Sequence, residues 1–339
     1  MIDVRSDTVT RPGPAMLQAM MQAQVGDDVF GEDETVNALQ RKAAELFGKD
    51  SALFCPSGTM SNQIGIKLHT QPGDEVICDQ LSHIYLYEGG GIAVNSSASV
   101  RLLQGHHGRF TAAQVLDNIN QRGDSHFPNT RLVAIENTVN KGGGGCWDLE
   151  EIRRIRQVCE QHQLALHLDG ARLFNALVAR NEAPRSYGEL FHTISICLSK
   201  GLGAPAGSLL LGSKEHIGRA HRLRKLFGGG MRQAGYLAAA GLYALEHNIE
   251  RLQADHRKAR TLDLELKSLP YIAAVLPVET NIVIFTLQEQ VPTEQFLAHL
   301  RAHDVRASSI GPRTIRFVFH LDVSDAQFDR LVEAMRAFR

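Results

Sequence analysis

The sequence predicts an α/β large domain on a mostly parallel sheet, followed by a smaller α+β C-terminal domain. Three observations carry this. Helix and strand patterns alternate from about residue 35 to 212. The strands of that stretch are short apolar runs such as Arg131–Asn137 and Leu164–Asp169, and helix-period segments such as Leu149–Gln161 separate them. From Tyr271 the pattern changes to interleaved strands (Asn281–Phe285, Thr314–Phe319) and helices (Thr293–His303, Asp325–Phe338). The division expected is an arm and short helix over 1–25, a large domain over 26–250 and a small domain over 251–339.

In chain order, residues 3–11 form a polar arm dense in hydrogen-bonding groups, and Pro12 and Pro14 permit entry into a helix around Ala15–Ala23. An acidic loop, Asp27–Glu34, precedes an amphipathic helix with Val36, Leu39, Ala43, Leu46 and Phe47 at helical spacing. Gly48 ends that helix as a C-cap. A short apolar segment then breaks at Pro56-Ser-Gly-Thr59, and a helix carrying Met60, Ile64 and Leu68 follows. Small residues at such a start suit a phosphate, because first-turn N–H groups are free and the helix dipole is positive there. Capping by Ser57 or Thr59 explains the same residues. Glu75–Cys78 is a strand, with His83 at the strand-to-helix junction beyond it. Basic helical residues run from Lys214 to Arg224, and Phe227–Gln233 breaks them. A long Ala/Leu-rich helix runs from about Ala234 to Leu252, with an extension toward Leu269.

The chain has 339 residues, 43% hydrophobic and 22% charged, with a formal net charge of −1. That balance offers no electrostatic case for nucleic acid or an anionic membrane as partner. No run of about 18 apolar residues exists to span a bilayer, and the first residues carry charges where a signal peptide needs an apolar stretch. Five dispersed cysteines without C-x-x-C spacing argue for a reducing compartment. The cytoplasm is the expected location. Gly201–Gly207 fits a relaxed dinucleotide glycine pattern but is followed by a strand-like segment instead of a helix. The sequence has no P-loop, no G-x-S-x-G and no H-E-x-x-H. No metal site is expected.

Lys200 lies between two apolar runs, Ile194–Leu198 and Ser208–Leu211. Alone it fits either an exposed strand end or a Schiff-base lysine, whose partly buried amine is a usable nucleophile. Ligands of open α/β sheets sit beyond the carboxyl ends of the strands. Asp169, Lys200 and Ser57–Thr59 all fall at such ends and would converge on one rim. A lysine, a carboxylate and a small-residue phosphate cradle are the three parts that pyridoxal phosphate (PLP) needs, the carboxylate pairing with the ring nitrogen.

Asp3–Arg11, Val25–Asp33, Pro56–Asn62, His167–Arg172, Leu198–Gly203 and Gly228–Gln233 together resemble the low-specificity L-threonine aldolases, over nearly the whole chain. The resemblance implies a fold-type I, PLP-dependent transferase-like large domain with a mixed, mostly parallel sheet. It implies that Lys200 carries PLP, Asp169 pairs with its ring nitrogen, His83 stacks on its face, and Ser57, Gly58 and Thr59 hold the phosphate. Arg232 and Lys225 would reach a cofactor or active site across a subunit boundary. Ser6, Arg172 and Arg316 would clamp the substrate carboxylate, for which a planar guanidinium is suited. His83 and His126 would lie near the β-hydroxyl and Tyr87 near the side-chain pocket; for His126 and Tyr87 a polar wall position is the alternative. Thr8 and Thr10 fit either capping or a structural cation.

The implied reaction is reversible cleavage of L-threonine, L-allo-threonine and related β-hydroxy amino acids to glycine and an aldehyde. His83, His126 or a water would be the base, and the assembly a homotetramer built from dimers. Alternatives are another fold-type I reaction or a catalytically silent homologue. Two positions depart from the resemblance. Val139 stands where a histidine is frequent and Phe319 where a threonine is frequent, with effects expected on substrate range or loop mobility.

Overall fold

The computed structural model describes residues 1–338. Seven strands form the large sheet, in the spatial order Ser51–Cys55, Ser208–Gly212, Thr193–Cys197, Ala165–Gly170, Asn129–Glu136, Asp74–Asp79, Ser99–Leu103. Only Ser208–Gly212 runs antiparallel to its two neighbours; the other adjacent pairs are parallel. The sheet is therefore mixed and mostly parallel. Helices cover both faces, which explains the near-continuous burial of its strands. Ile77, Val133 and Ile135 join the larger apolar cluster, which also holds Phe47, Phe54 and Trp147. Val76, Cys78, Leu132 and Ala134 face a second cluster with Ile84 and Ile92.

The helix Glu34–Phe47 shows how local sequence sets an element. Asp33 accepts the Val36 N–H at its start, and Gly48 ends it with φ of 62°. An L-residue with a Cβ is disfavoured in that left-handed conformation, so glycine is favoured there.

A second sheet, Ser308–Gly311, Thr314–Val318, Ile282–Leu287 and Ile272–Val275, is antiparallel throughout. Its cluster includes Phe285, Phe296 and Phe317. Ile2 and Val4 belong to this cluster, and Ile2–Asp3 pairs with Val305–Arg306. The arm is therefore threaded into the C-terminal half instead of hanging free. All five cysteines are buried and unpaired. Among the described residues, no helix is long and apolar enough to cross a membrane.

The single helix expected from Ala234 onward is two, Gly235–His247 and Leu252–Leu266. The break between them serves the Lys200 loop. Asn248 Nδ2 donates to Leu202 O at 2.7 Å and Arg251 Nη1 to Gly201 O at 3.3 Å. Periodicity cannot register such a break, since helix-forming residues flank it on both sides. The two departures are packing residues. Val139 is buried beneath Gly108, where its Cγ1 leaves no room for a Cβ. Phe319 lies in the C-terminal cluster, edge-on to Phe328 at 5.6 Å. Neither side chain lines the two cavities of the protomer's site.

Asp7 is fully buried and forms a two-pronged ion pair with Arg172, Nε to Oδ2 at 2.8 Å and Nη2 to Oδ1 at 2.6 Å. Burial works against the charge on Asp7, but the guanidinium outweighs it and holds the carboxyl below its ordinary value of 3.8. A carboxyl lowered on folding contributes stability that is full above its unfolded pKa and lost as pH falls through the folded one. Asp7→Asn leaves a buried guanidinium uncompensated, so it should destabilise the fold by about 3–5 kcal/mol. Urea unfolding at pH 7 measures this, and the gap from wild type should narrow on acidification below the unfolded carboxyl value.

Candidate active site

The carboxyl ends of the parallel strands meet on one rim. Ser57 follows Cys55, His83 follows Asp79, Glu136 ends its strand, Asp169 lies one residue from the end of its own, and Lys200 lies three residues beyond Cys197. Two cavities open there. One, of about 360 Å³, is lined among others by Ser57, Gly58, Thr59, His83, Glu88 and Lys200. The other, of about 280 Å³, is lined by Ser6, Thr8, His83, Tyr87, Asn140, Arg172, Lys200, Ile310 and Arg316. Thr8, His83 and Lys200 border both, so the lysine stands where the two meet.

The first cavity is built for an anion and a ring. Gly58 opens a 12-residue helix, and Ser57 Oγ accepts the Met60 N–H at 3.2 Å. The N–H groups of Gly58 and Thr59 are among those a helix start leaves free. A Cβ on Gly58 would lie 2.6 Å from Cys197 Sγ, so the close approach of helix to strand requires glycine. Asp169 is buried; its Oδ1 accepts the Ala171 N–H at 3.1 Å, while its Oδ2 has no partner among the described residues. An orphaned carboxylate oxygen of this kind calls for a cationic donor. A protonated pyridine nitrogen fits it. The residues present therefore suit PLP.

His83 is oriented by two acids. Its ring Nδ1 donates to Glu88 Oε1 at 3.0 Å, and its backbone N–H donates to Glu136 Oε2 at 2.7 Å. Burial alone would lower its pKa; the Glu88 hydrogen bond and the charges of Asp169, Glu88 and Glu136 outweigh that and raise it. Glu136 is buried beside Asp169, and burial with that like charge pushes its carboxyl up to about 7. Its other oxygen accepts the Asn140 N–H at 2.8 Å.

The second cavity is built for a carboxylate. Arg316 Nη1 donates to Asn140 Oδ1 at 2.8 Å and Nη2 to the Arg5 carbonyl at 3.1 Å, while its buried Nε has no partner among the described residues. Burial and the neighbouring Arg172 both make its charge costly, and its pKa is lowered. Ser6 Oγ caps the Thr8 N–H. Arg172 borders the cavity but is engaged by Asp7. Tyr87 lies 5.6 Å from the His83 ring, with Lys141 Nζ over its own ring at 5.9 Å. Thr10 Oγ1 lies 3.1 Å from the Lys200 carbonyl and 2.9 Å from that of Asp7, which ties the arm to the lysine loop.

Three expected residues border neither cavity of their own protomer. His126 borders neither cavity; its side chain is 86% exposed and bonded to Asp124 in the loop before strand Asn129–Glu136. Proximity to a β-hydroxyl is therefore absent within the protomer, because the loop tip projects into solvent. Lys225 and Arg232 are also exposed, Arg232 pairing with Asp27 at 2.9 Å. Glu88, Glu136 and Asn140 are central and were not singled out in the sequence. The only signal for Glu88 was its place five residues after His83, and a lone acid there reads as surface.

The beta-eliminating lyase family matches residues 3–290. Low specificity L-threonine aldolase of Escherichia coli (strain K12) is 43% identical over 341 residues, spanning 100% of this chain and 99% of its own length. A probable low-specificity L-threonine aldolase 2 of Arabidopsis thaliana is 40% identical, spanning 97% and 94%. A solved threonine aldolase from Leishmania major superposes with a TM-score of 0.87 over 99% of both chains at 23% identity, which establishes the shared fold. With this identity along its whole length, the chain belongs to the low-specificity L-threonine aldolases of the beta-eliminating lyase family.

Proposed function

We propose that this chain cleaves L-threonine, L-allo-threonine and related L-β-hydroxy-α-amino acids to glycine and an aldehyde, reversibly and with PLP. The observation that carries the reading is Lys200 standing between a phosphate cradle and an arginine-lined pocket. Lys200 would hold the cofactor covalently, Asp169 its ring nitrogen, and Ser57, Gly58 and Thr59 its phosphate, with His83 on the ring face. When bound, PLP supplies an electron sink for the pair released from the Cα–Cβ bond.

The remaining work falls to side chains. Arg316 turns its free Nε to the substrate carboxylate, and Ser6 Oγ adds a donor. That fixes the amino acid at one end and places its Cβ substituent toward His83 and Tyr87. Glu88 keeps the His83 proton on Nδ1, so Nε2 is the atom that takes the β-hydroxyl proton as the bond opens. Glu136 holds both His83 and Asn140 by their backbone N–H groups, so the base and the carboxylate clamp share one support.

Incubation with L-threonine and PLP tests the reaction. Equimolar acetaldehyde and glycine are expected, whereas 2-oxobutyrate would indicate dehydration instead. Arg316→Lys should raise KM for L-threonine about tenfold with kcat within about threefold, because a point charge replaces a planar fork. An unchanged KM would move the carboxylate site elsewhere.

The reading extends to a cytoplasmic homotetramer built from dimers, with small amino acids and aldehydes as its ligands. Lys225 and Arg232 support it, lying outside their own cavities near Phe30 (74% exposed) and Leu226 (70% exposed). An exposed apolar edge bearing cations suits a neighbour's anionic site. Sedimentation at micromolar concentration would reveal a monomer if this is wrong.

A further inference from the structure

Two residues of the quoted motifs, Asn62, which borders the first cavity, and His167, which borders neither, have no role in the chemistry above, yet both are buried. They form a continuous polar chain through the interior. Glu88 Oε1 accepts from Asn62 Nδ2 at 2.9 Å, and Glu88 Oε2 accepts from Gln63 Nε2 at 2.6 Å. Asn62 Oδ1 lies 3.2 Å from His167 Nε2, His167 Nδ1 lies 2.9 Å from Thr193 Oγ1, and Thr193 Oγ1 lies 3.0 Å from His69 Nε2. The chain begins at His69, which borders a third cavity, away from the first two, with Arg131 and Arg219, and ends on His83.

The proton positions follow from the chemistry of the groups. A carboxylate only accepts, so Asn62 must present its amide to Glu88 and its carbonyl to His167. His167 is fully buried, and burial pushes its pKa down to about 4, so it is neutral with one N–H. That N–H sits on Nε2, facing the Asn62 carbonyl. Nδ1 then accepts from the Thr193 hydroxyl, whose oxygen accepts from His69 Nε2–H. Every bond points the same way, toward Glu88, and bonds aligned in this manner polarise one another. Two glycines make the space. A Cβ on Gly65 would lie 2.5 Å from His167 Cε1, and one on Gly91 would lie 2.5 Å from Gln63 Cδ.

We propose that His167, Asn62 and Gln63 are positioning residues for this reaction, holding Glu88 against Nδ1 of His83 so that Nε2 faces the substrate. The proposal rests on His83 acting as in the preceding section. The groups that set the charge of His83 are Glu88, Asp169 and Glu136, with Lys200 and Tyr87 along the same cavities. His167 borders neither site cavity, so any effect it has must pass through its partners.

A double-mutant cycle on the holoenzyme tests this. His167→Phe keeps the ring volume and removes both nitrogens; it should lower kcat/KM for L-threonine about tenfold, the scale of a displaced catalytic group. It should also weaken PLP binding in absorbance titrations of stripped protein. In a His83→Asn background both effects of His167→Phe should vanish, since the group it positions is gone. Gly65→Ala, which presses on the same ring, should behave alike and serves if His167→Phe fails to fold. Effects that multiply in the His83→Asn background would overturn the proposal and make His167 a packing residue. If His83→Asn alone leaves kcat/KM unchanged, the role assigned to His83 fails instead, and the proposal with it.

Discussion

Lys200→Ala should reduce L-threonine turnover on the order of 10⁴-fold or more, the scale seen when a covalent catalyst is removed. The lysine borders both cavities, and no other lysine lines either of them. Its carbonyl is held by Gly203 N–H at 2.8 Å and approached by Thr10 Oγ1, so the backbone should stay in place when the side chain is cut back. The loss should therefore be chemical and not a collapse of the fold. Borohydride treatment with PLP should fix the cofactor on the wild-type chain, with mass mapping to the peptide that contains Lys200. The variant should remain unlabelled at an unchanged melting temperature. Labelling elsewhere, or retained turnover, would remove Lys200 from its role.

Asp169→Asn is expected to have the next largest effect, about 10²–10³-fold in kcat, comparable to removing one preorganised electrostatic group. The substitution keeps the size and the Oδ1 contact to Ala171, but exchanges the charge of the orphaned Oδ2 for an amide. An amide N–H cannot accept the proton of a pyridinium, so the ring nitrogen would be held neutral and the electron sink weakened. The variant should still bind PLP through Lys200, with a visible spectrum that differs from wild type. Equal kcat values with unchanged spectra would mean that Oδ2 does not meet the ring.

The sequence by itself determined the alternation of helix and strand, because an apolar run flanked by helix-period segments buries its surface in one kind of layered sheet. It also determined the residues at strand ends. Lys200, Asp169 and Ser57–Thr59 fall there by counting, and the parallel arrangement then brings them to a common rim. Gly48 was legible because a left-handed helix cap excludes most other residues.

The tertiary structure alone decided the partners. Whether Glu88 is a surface acid or the group that fixes a histidine depends on Asn62 and Gln63 arriving from a helix 26 and 25 residues earlier in the chain. Arg172, expected from the resemblance as a substrate clamp, is engaged by Asp7, 165 residues earlier, which no local pattern announces. The break at Asn248–Arg251 likewise follows from carbonyls that the Lys200 loop presents, and not from local helix propensity. For His126 the residue type suits the chemistry, while the folded protomer leaves its side chain 86% exposed beside Asp124. Periodicity and residue type report what a segment buries, but a hydrogen bond needs a donor and an acceptor within about 3 Å, and only the folded chain sets that distance.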